Sequence, residues 1–537
     1  MEYDVIVVGG GMAGLTAAAF TAHAGHSVLL CDKENRLGGL IGSFERNGFV
    51  FDTGARAIED SGVLFTMLKA LGIEMEFVNG SVSVGIEDRV IRAETRENLN
   101  DYEKLLAHFY PDSRADIASI MQDIRMVMKY TDIMYGIENP FFKDLIHEPG
   151  YILKTMLPWL GKFLMAIIKT NMMREPVEEH LKKFTSSRRL IDIISQHFFR
   201  NTPAFFAMGY FSLYLDYHYP VGGTGVLPRR LEEFCLRKKV TIKKNTRIVK
   251  IDPDKRMVTD ENGNGYSYKQ LVWAADMKSM YRSIDVNTIA SGTIKKKTRQ
   301  KIETLHDAKG GDSIFTLYLA VNIAPEYFAG ISNGHFFYTP SRDGVGDITK
   351  GAYERLVSGA RDITSERFRK SAEAWIQSYL QKTTYEISIP AVKDKSLAPA
   401  GKSGLIISVL FDYELSSIIR EQGWYTEFKK FTGDCMVDTL SASIYPGLRE
   451  RILDAFSYTP VSIERINGSA DGAITGWAFT CSIPAVHRMQ YMTTSIRTPL
   501  PDICQAGQWS YSPAGVPIAL LTGKLAADRV HKKLRWT

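Results

Sequence analysis

A glycine turn set between a strand and a helix constrains this chain more than any other feature. Tyr3-Asp-Val-Ile-Val-Val-Gly9 reads as a short buried strand, Gly9-Gly10-Gly11-Met12-Ala13-Gly14 follows without a break, and Leu15 to Phe20 reads as helix. A second apolar strand, Ser27 to Cys31, ends on Asp32. This is Gly-x-Gly-x-x-Gly with a strand before it, a helix after it and an acid closing the next strand. Gly9 permits the tight turn, Gly11 lets the backbone approach a pyrophosphate, and Gly14 lets helix and strand pack closely. The helix N-terminus, opening at Met12 and Ala13, offers free N–H groups and partial positive charge to phosphates. Asp32, followed by Lys33, is placed to accept hydrogen bonds from a ribose hydroxyl pair. An ordinary Gly-rich turn would leave the agreement of strands, helix and acid unexplained.

A second glycine pair follows in Arg36-Leu37-Gly38-Gly39, and then Phe49-Val-Phe-Asp52-Thr-Gly54. A nicotinamide enzyme has no need of that pair. The run Val28 to Gly39 resembles the extended signature of FAD-containing oxidoreductases, in which the second pair brings backbone close to the cofactor. Leu40 stands where an Arg usually follows.

At 537 residues the chain is too long for one core and implies two or three domains. Apolar content of 45% and charged content of 23% are those of a soluble globular protein. Net charge is only +6, from 66 basic and 60 acidic residues, with no basic stripe or nucleic-acid motif, so no nucleic-acid partner is expected. Cys31, Cys235, Cys435, Cys481 and Cys504 are widely spaced, without C-x-x-C or a His cluster, which implies buried free thiols, a reducing compartment and no metal. The apolar run Val5 to Val8 is the first strand and lacks a basic lead, so a cytoplasmic location is expected.

Residues 116–215 read as mainly helical. The greasiest window is 155–168, flanked by Lys154 and Lys169. Fourteen residues broken by Pro158 and interrupted by Lys162 are too short to span a bilayer. Two readings stand: a core helix of a cap domain, or a cationic amphipathic helix in the membrane interface, which would make the protein peripheral. Tyr210 to Pro220 is strongly aromatic, either lining an apolar pocket or filling core. His218 shows no partner acid. Leu227 to Arg237 reads as helix, Val240 to Ile251 as one strand, Asp252 to Gly265 as a polar hairpin and Gln270 to Asp276 as a strand. Strands are expected at Ser313–Val321, His335–Thr339, 385–389 and 404–411, and helix at 364–380 and 420–457. Ile503 to Ala506 reads as strand, with a helix running on through Leu520 to Val530. The nucleotide-domain pattern thus returns after a long insertion. The expected boundaries are 1–55, 220–290 and 470–537 for the discontinuous nucleotide domain, and 56–219 with 291–469 for the substrate or cap domain.

Several motifs now coincide. The N-terminal VVGGGMAGL–CDKENRLGG, Gly222-Gly-Thr-Gly-Val-Leu, Thr246-Arg-Ile-Val249, Ala274-Ala-Asp276, Asp394-Lys-Ser-Leu-Ala-Pro399-Ala-Gly401 and Ala506-Gly-Gln-Trp509 with Pro513 and Gly515-Val-Pro517 occur in order. Together they resemble the phytoene desaturase-like flavoproteins, a family that includes carotenoid desaturases, carotenoid isomerases and retinol saturase. The resemblance implies an α/β fold: a discontinuous Rossmann-like FAD-binding domain with an inserted α+β substrate domain, of amine oxidase/phytoene desaturase type. FAD would be held by Gly9, Gly11, Met12, Ala13, Gly14, Asp32, Lys33, Gly38, Gly39, Val249, Ala275, Gly507, Gln508 and Val516. Gln508 stands where many relatives carry an acid, and Lys395 replaces the first proline of D-P-S-L-A-P.

The resemblance implies redox chemistry at flavin N5 on C–C or C=C bonds of an apolar, polyene-type substrate, as desaturase, saturase or isomerase. No Ser/His/Asp or Cys/His pairing is evident, so no catalytic acid or base is assigned. Trp477, Trp509 and Tyr511 either contact substrate or pack, and Arg56 either faces the flavin or substrate or is a surface or packing arginine. The alternatives are a flavin amine oxidase and a flavin-binding, membrane-associated protein without turnover. One glycine motif implies no separate NAD(P) domain. Electrons would pass to or from NAD(P)H, another donor or acceptor, or a redox partner.

Overall fold

The computed structural model describes residues 2–361, 364–480 and 482–535, and among these two seven-stranded sheets carry the architecture. In the first, Glu2–Val8 and Gly265–Trp273 run parallel at the centre, Val5 opposite Gln270 and Val8 opposite Trp273. Val28–Cys31 and then Thr241–Lys243 extend it in parallel on one side. Met257–Asp260 and Ile248–Asp252 extend it antiparallel on the other, and Ile503–Gln505 pairs with the end of Gly265–Trp273. Successive side chains in a strand point to opposite faces. Val5, Val7, Val28 and Leu30 accordingly pack under helices Met12–His23, Val226–Arg237 and Val516–Leu534. Ile6, Val8, Leu29 and Cys31 pack on the far face against Trp273, Met277, Trp477 and Trp509. Both faces are covered, which is why these strands read as unbroken apolar runs.

The second sheet has the order Ile452–Tyr458, Ser313–Val321, Ser403–Phe411, Tyr385–Ser388, His335–Thr339, Val82–Ile86, Arg89–Ala93. Phe315, Leu317 and Leu319 face helices Ser365–Leu380 and Tyr425–Ala442. Tyr318, Ala320 and Ile406 face the other way, onto Phe49 and Phe51 of the small hairpin Ser43–Arg46 and Phe49–Asp52.

Three expectations need correction. Val240 to Ile251 is two strands, because Asn245 turns the chain at φ 51° and sends Thr241–Lys243 and Ile248–Asp252 to opposite edges of the sheet. The polar stretch after Asp252 is the expected hairpin: Met257–Asp260 pairs antiparallel with Ile248–Asp252 and with Gly265–Trp273, and the Asp260 carboxylate accepts from the Asn262 and Asn264 N–H groups to fold the turn. Helix over 420–457 ends at Ala442, and Ile452–Tyr458 is an edge strand. Pro158 does not break the apolar window. It follows a π-helical turn, Ile152–Met156, which accommodates the N–H that proline lacks and carries the helix on into Leu157–Asn171.

The continuous run Pro149–Asn171 is 23 residues long with mean hydropathy 1.4, long and apolar enough by length and composition to cross a membrane. It is not a core helix. In Leu157–Asn171 only Ala166, Ile167 and Thr170 are buried. Trp159 and Phe163 turn inward, stacked at 4.1 Å, and Trp159 Nε1 donates to Ile133 O of helix Arg114–Tyr135 at 2.5 Å. Leu153, Leu157, Leu160, Leu164 and Ile168 form an outer stripe, each more than 40% exposed. Cys31, Cys235 and Cys504 are buried free thiols and Cys435 is half-buried, while Cys481 lies outside the described residues.

Candidate functional site

The glycine turn divides its work between folding and ligand. Gly9 has φ 99°, and a Cβ there would stand 2.9 Å from the Ala274 carbonyl. A Cβ on Gly14 would stand 1.8 Å from Gly9 O. These two glycines let strand and helix close together. Gly11 is different. Its φ is −67°, and a Cβ would meet nothing within 4 Å. Helix Met12–His23 begins beside that space with no side-chain cap, so its first-turn N–H groups are free for an anion. Gly38 donates its N–H to Gly10 O at 2.8 Å, and a Cβ on Gly39 would lie 3.3 Å from Gly11 Cα. The second glycine pair therefore packs directly on the first.

Asp32 accepts from Gly10 N–H at 2.5 Å through Oδ2 and from Glu34 N–H at 2.7 Å through Oδ1. A carboxylate offers about four acceptor positions, so both oxygens retain capacity for ribose hydroxyls. Burial pushes this carboxyl above its ordinary range, and those two N–H donors pull against it. A cavity of about 810 Å³ opens beside it, lined by Gly9, Asp32, Lys33, Gly39, Leu40, Val249 and Ala275. Thr53 and Gly54, and Thr316, Tyr318 and Tyr458 of the second sheet, complete the wall. Its volume lies within the range of cofactor sites.

Other expected residues fall around this cavity or behind it. Met12 and Ala13 are buried, and a Cβ on Gly507 would lie 3.4 Å from Ala13 Cβ. Gly507, at φ 93°, donates its N–H to Thr522 Oγ1, tying the last strand to the C-terminal helix. Gln508 packs its carbonyl over Gly476, and Val516 opens the C-terminal helix, whose Gly515 N-cap supplies no side-chain cap. Trp477 and Trp509 meet edge-to-face at 4.7 Å, with Trp477 Nε1 donating to Trp509 O. They sit in the core and line neither cavity. Arg56 is 2% exposed, so it is no surface arginine.

A second cavity of about 380 Å³ lies beneath helix Leu157–Asn171. Met134, Trp159, Phe163, Phe205, Phe206 and Leu213 give it an apolar wall, and Gly515 and Tyr511 bring it to the start of the C-terminal helix. Its charged groups are Arg174 and Glu59. Arg174 is held by Asn171 Oδ1 and His487 O. Glu59 has no ion-pair partner among the described residues, and burial, aided by the charge of Asp216, pushes its carboxyl up to about 7. A Cβ on Gly515 would stand 3.1 Å from Glu59 Oε1. Glu59 and Arg174 carry no motif, and tertiary packing alone brings both to the wall of this cavity. His218, read as lacking an acid, has Asp216 Oδ1 at 3.9 Å.

The geometry suits a dinucleotide at the first cavity, and comparison with known proteins gives the family. The chain is 22% identical to 4,4'-diapophytoene desaturase (4,4'-diaponeurosporene-forming) of Staphylococcus aureus strain COL, over 99% of both chains. It superposes on an oxidoreductase from Methanosarcina mazei with TM-score 0.59 and 13% identity, covering 97% of this chain and 99% of that one. Against cyclohexylamine oxidase from Brevibacterium oxydans the TM-score is 0.56 at 12% identity, with full coverage of both. The family model of flavin containing amine oxidoreductases matches residues 12–309, more than half the chain, and the chain belongs to that family, as an FAD-dependent oxidoreductase.

Proposed function

We propose that the first cavity holds FAD and that the second takes an apolar, polyene-type substrate, whose C–C or C=C bonds are desaturated, saturated or isomerised. When bound, FAD supplies a two-electron acceptor or donor beside the substrate. Asp32 would hold the adenosine ribose, and the first-turn amides from Met12 the pyrophosphate, over the open space at Gly11. Val249, Ala275 and Lys33 would wall the adenosine. In this reading segments 1–55, 220–290 and 470–537 form the FAD-binding unit, and the rest forms the substrate unit.

The apolar lining of the second cavity carries the substrate assignment. Six aromatic or aliphatic side chains, with few charges, suit a long hydrocarbon and exclude water from the redox step. The relatives named as diapophytoene desaturases act on a substrate of that kind. The exposed leucine stripe lies on the helix that roofs this cavity, which supports docking on a membrane that stores such a substrate.

One observation favours a second reading. Glu59, an acid with no basic partner among the described residues, lines this apolar cavity and offers a seat for the ammonium of an amine substrate. Anaerobic photoreduction of the flavoprotein, followed by a carotenoid in liposomes, tests the first reading. Reoxidation by the polyene supports saturation, and polyene oxidation by the oxidised protein supports desaturation. Hydrogen peroxide release with alkylamines, and no exchange with any polyene, would replace it with amine oxidation.

A further inference from the structure

Arg56 is buried, and among the described residues no carboxylate lies in ion-pair range of it and its Nε has no partner. Its Nη1 donates to Asp52 O at 3.2 Å, and its Nη2 donates to Ser408 Oγ at 2.8 Å. Ser408 is 1% exposed and stands directly opposite Thr316 across the second sheet, Oγ to Oγ1 at 2.9 Å. A guanidinium only donates. Ser408 Oγ therefore accepts from Arg56, and its own hydrogen needs an acceptor, since a buried hydroxyl without one is costly. Among the described residues its partner is Thr316 Oγ1. Thr316 is then the acceptor in that pair, and its own hydrogen is left to point elsewhere. Thr316 lines the first cavity.

We infer that Thr316 presents a hydrogen-bond donor to the flavin ring, its polarity fixed by Arg56 through Ser408. The inference rests on the reading that FAD fills the first cavity. With the adenosine walled by Val249 and Ala275, its ribose at Asp32 and the pyrophosphate at Gly11, the ribityl chain and the ring are what remain of FAD to meet the second sheet, and of the two the ring, with its carbonyl oxygens and unprotonated nitrogens, is the acceptor-rich part. The same strand carries Tyr318 two residues on, also in the wall of this cavity, so the face of Ser313–Val321 turned to the cofactor is set by strand alternation. Arg56 and Ser408 are positioning residues. A donor aimed at a ring acceptor stabilises the more electron-rich, reduced ring, so the relay raises the flavin's midpoint potential.

The test is dye-equilibrated redox titration of the purified flavoprotein, with FAD stoichiometry and melting temperature measured alongside. Thr316→Val keeps shape and removes the hydroxyl; at a fixed potential its reduced-to-oxidised ratio should fall about tenfold, about 30 mV for a two-electron couple. Thr316→Ser should restore the wild-type potential, and Ser408→Ala should shift it downward, because Thr316 is no longer held as acceptor. An unchanged potential in Thr316→Val with FAD bound at full stoichiometry overturns the relay. Should Thr316→Val bind no FAD, an unchanged potential in Ser408→Ala overturns it. Wild-type protein that takes up no FAD would refute the cofactor reading instead.

Discussion

Replacing Gly11 and, separately, Gly14 by alanine separates the two tasks of the glycine turn. A Cβ on Gly14 would enter the Gly9 carbonyl at 1.8 Å, and backbone cannot step aside as a side chain can. The protein without cofactor should lose about 3 kcal/mol, at the upper end of overpacking costs. Gly11 has an ordinary φ and open space around it. Alanine there loses a little as an N-cap and gains a little by stiffening the unfolded chain, leaving cofactor-free stability within about 1 kcal/mol. The methyl group would occupy the space over the helix amides, so a pyrophosphate must retreat and surrender a charge-assisted hydrogen bond of about 1.5–3 kcal/mol. Calorimetric titration of FAD into the deflavinated protein should therefore show Gly11→Ala weaker by roughly 10- to 100-fold, with its melting temperature near that of wild type. Gly14→Ala should melt early before any cofactor is added. Equal FAD affinity in Gly11→Ala and wild type would refute the placement of the pyrophosphate.

Burial pushes the Glu59 carboxyl up to about 7 in the fold, against the ordinary glutamate value of 4.5 in the unfolded chain, so the folded protein holds a proton that the unfolded chain releases between those values. The stability tied to that proton is complete below 4.5 and is lost as pH rises through about 7. Glu59→Gln should gain melting temperature over wild type at pH 8 relative to pH 5; a difference constant across that range would contradict the burial argument. For the helix Pro149–Asn171, reversing Lys154, Lys162 and Lys169 to Glu should lower flotation with anionic liposomes, at about 1 kcal/mol per lysine near such a surface. Identical flotation of the wild type and the triple variant would remove that helix from any membrane contact. In the core of the second sheet, Phe315→Ala should cost about 3–5 kcal/mol in denaturant unfolding, because Phe315 is fully buried against Phe411 and Phe428; a loss under 1 kcal/mol would show the sheet repacks freely.

The parts of this protein legible in its sequence are those whose meaning is local. The glycine turn, Ser313–Val321 and His335–Thr339 are visible because composition and spacing over a few residues decide them. Ile452–Tyr458 escapes because an edge strand alternates exposed and half-buried positions and never forms an apolar run. Val240 to Ile251 misleads because its alternation continues through a turn whose one signal is Asn245. The site residues divide the same way. Asp32 and the glycines belong to a motif, whereas Thr316, Ser408 and Arg56 meet only through sheet register and the fold of 52–56 beneath it. No spacing announces that a threonine and a serine far apart in sequence will stand opposite each other.

Helix Pro149–Asn171 shows why composition alone left two readings open. Its apolar total is the same whether it fills a core or faces outward; what differs is which residues turn inward. At 100° per residue, Leu153, Leu157, Leu160, Leu164 and Ile168 fall on one stripe, Trp159, Phe163, Ala166 and Thr170 on the opposite one, and Lys154, Lys162 and Lys169 along a flank between them. A helix serving only the core would leave its polar flank outermost. Here the outermost face is leucine, and the inward aromatics wall the second cavity. One element thus borders both the outside and the proposed substrate space, so a hydrocarbon passing from a bilayer to that cavity need cross only the thickness of this helix. That arrangement ties the leucine stripe to the cavity's function, and it makes loss of flotation and loss of turnover with liposome-held polyene the joint expected result of the lysine reversals, with turnover on detergent-dispersed polyene retained.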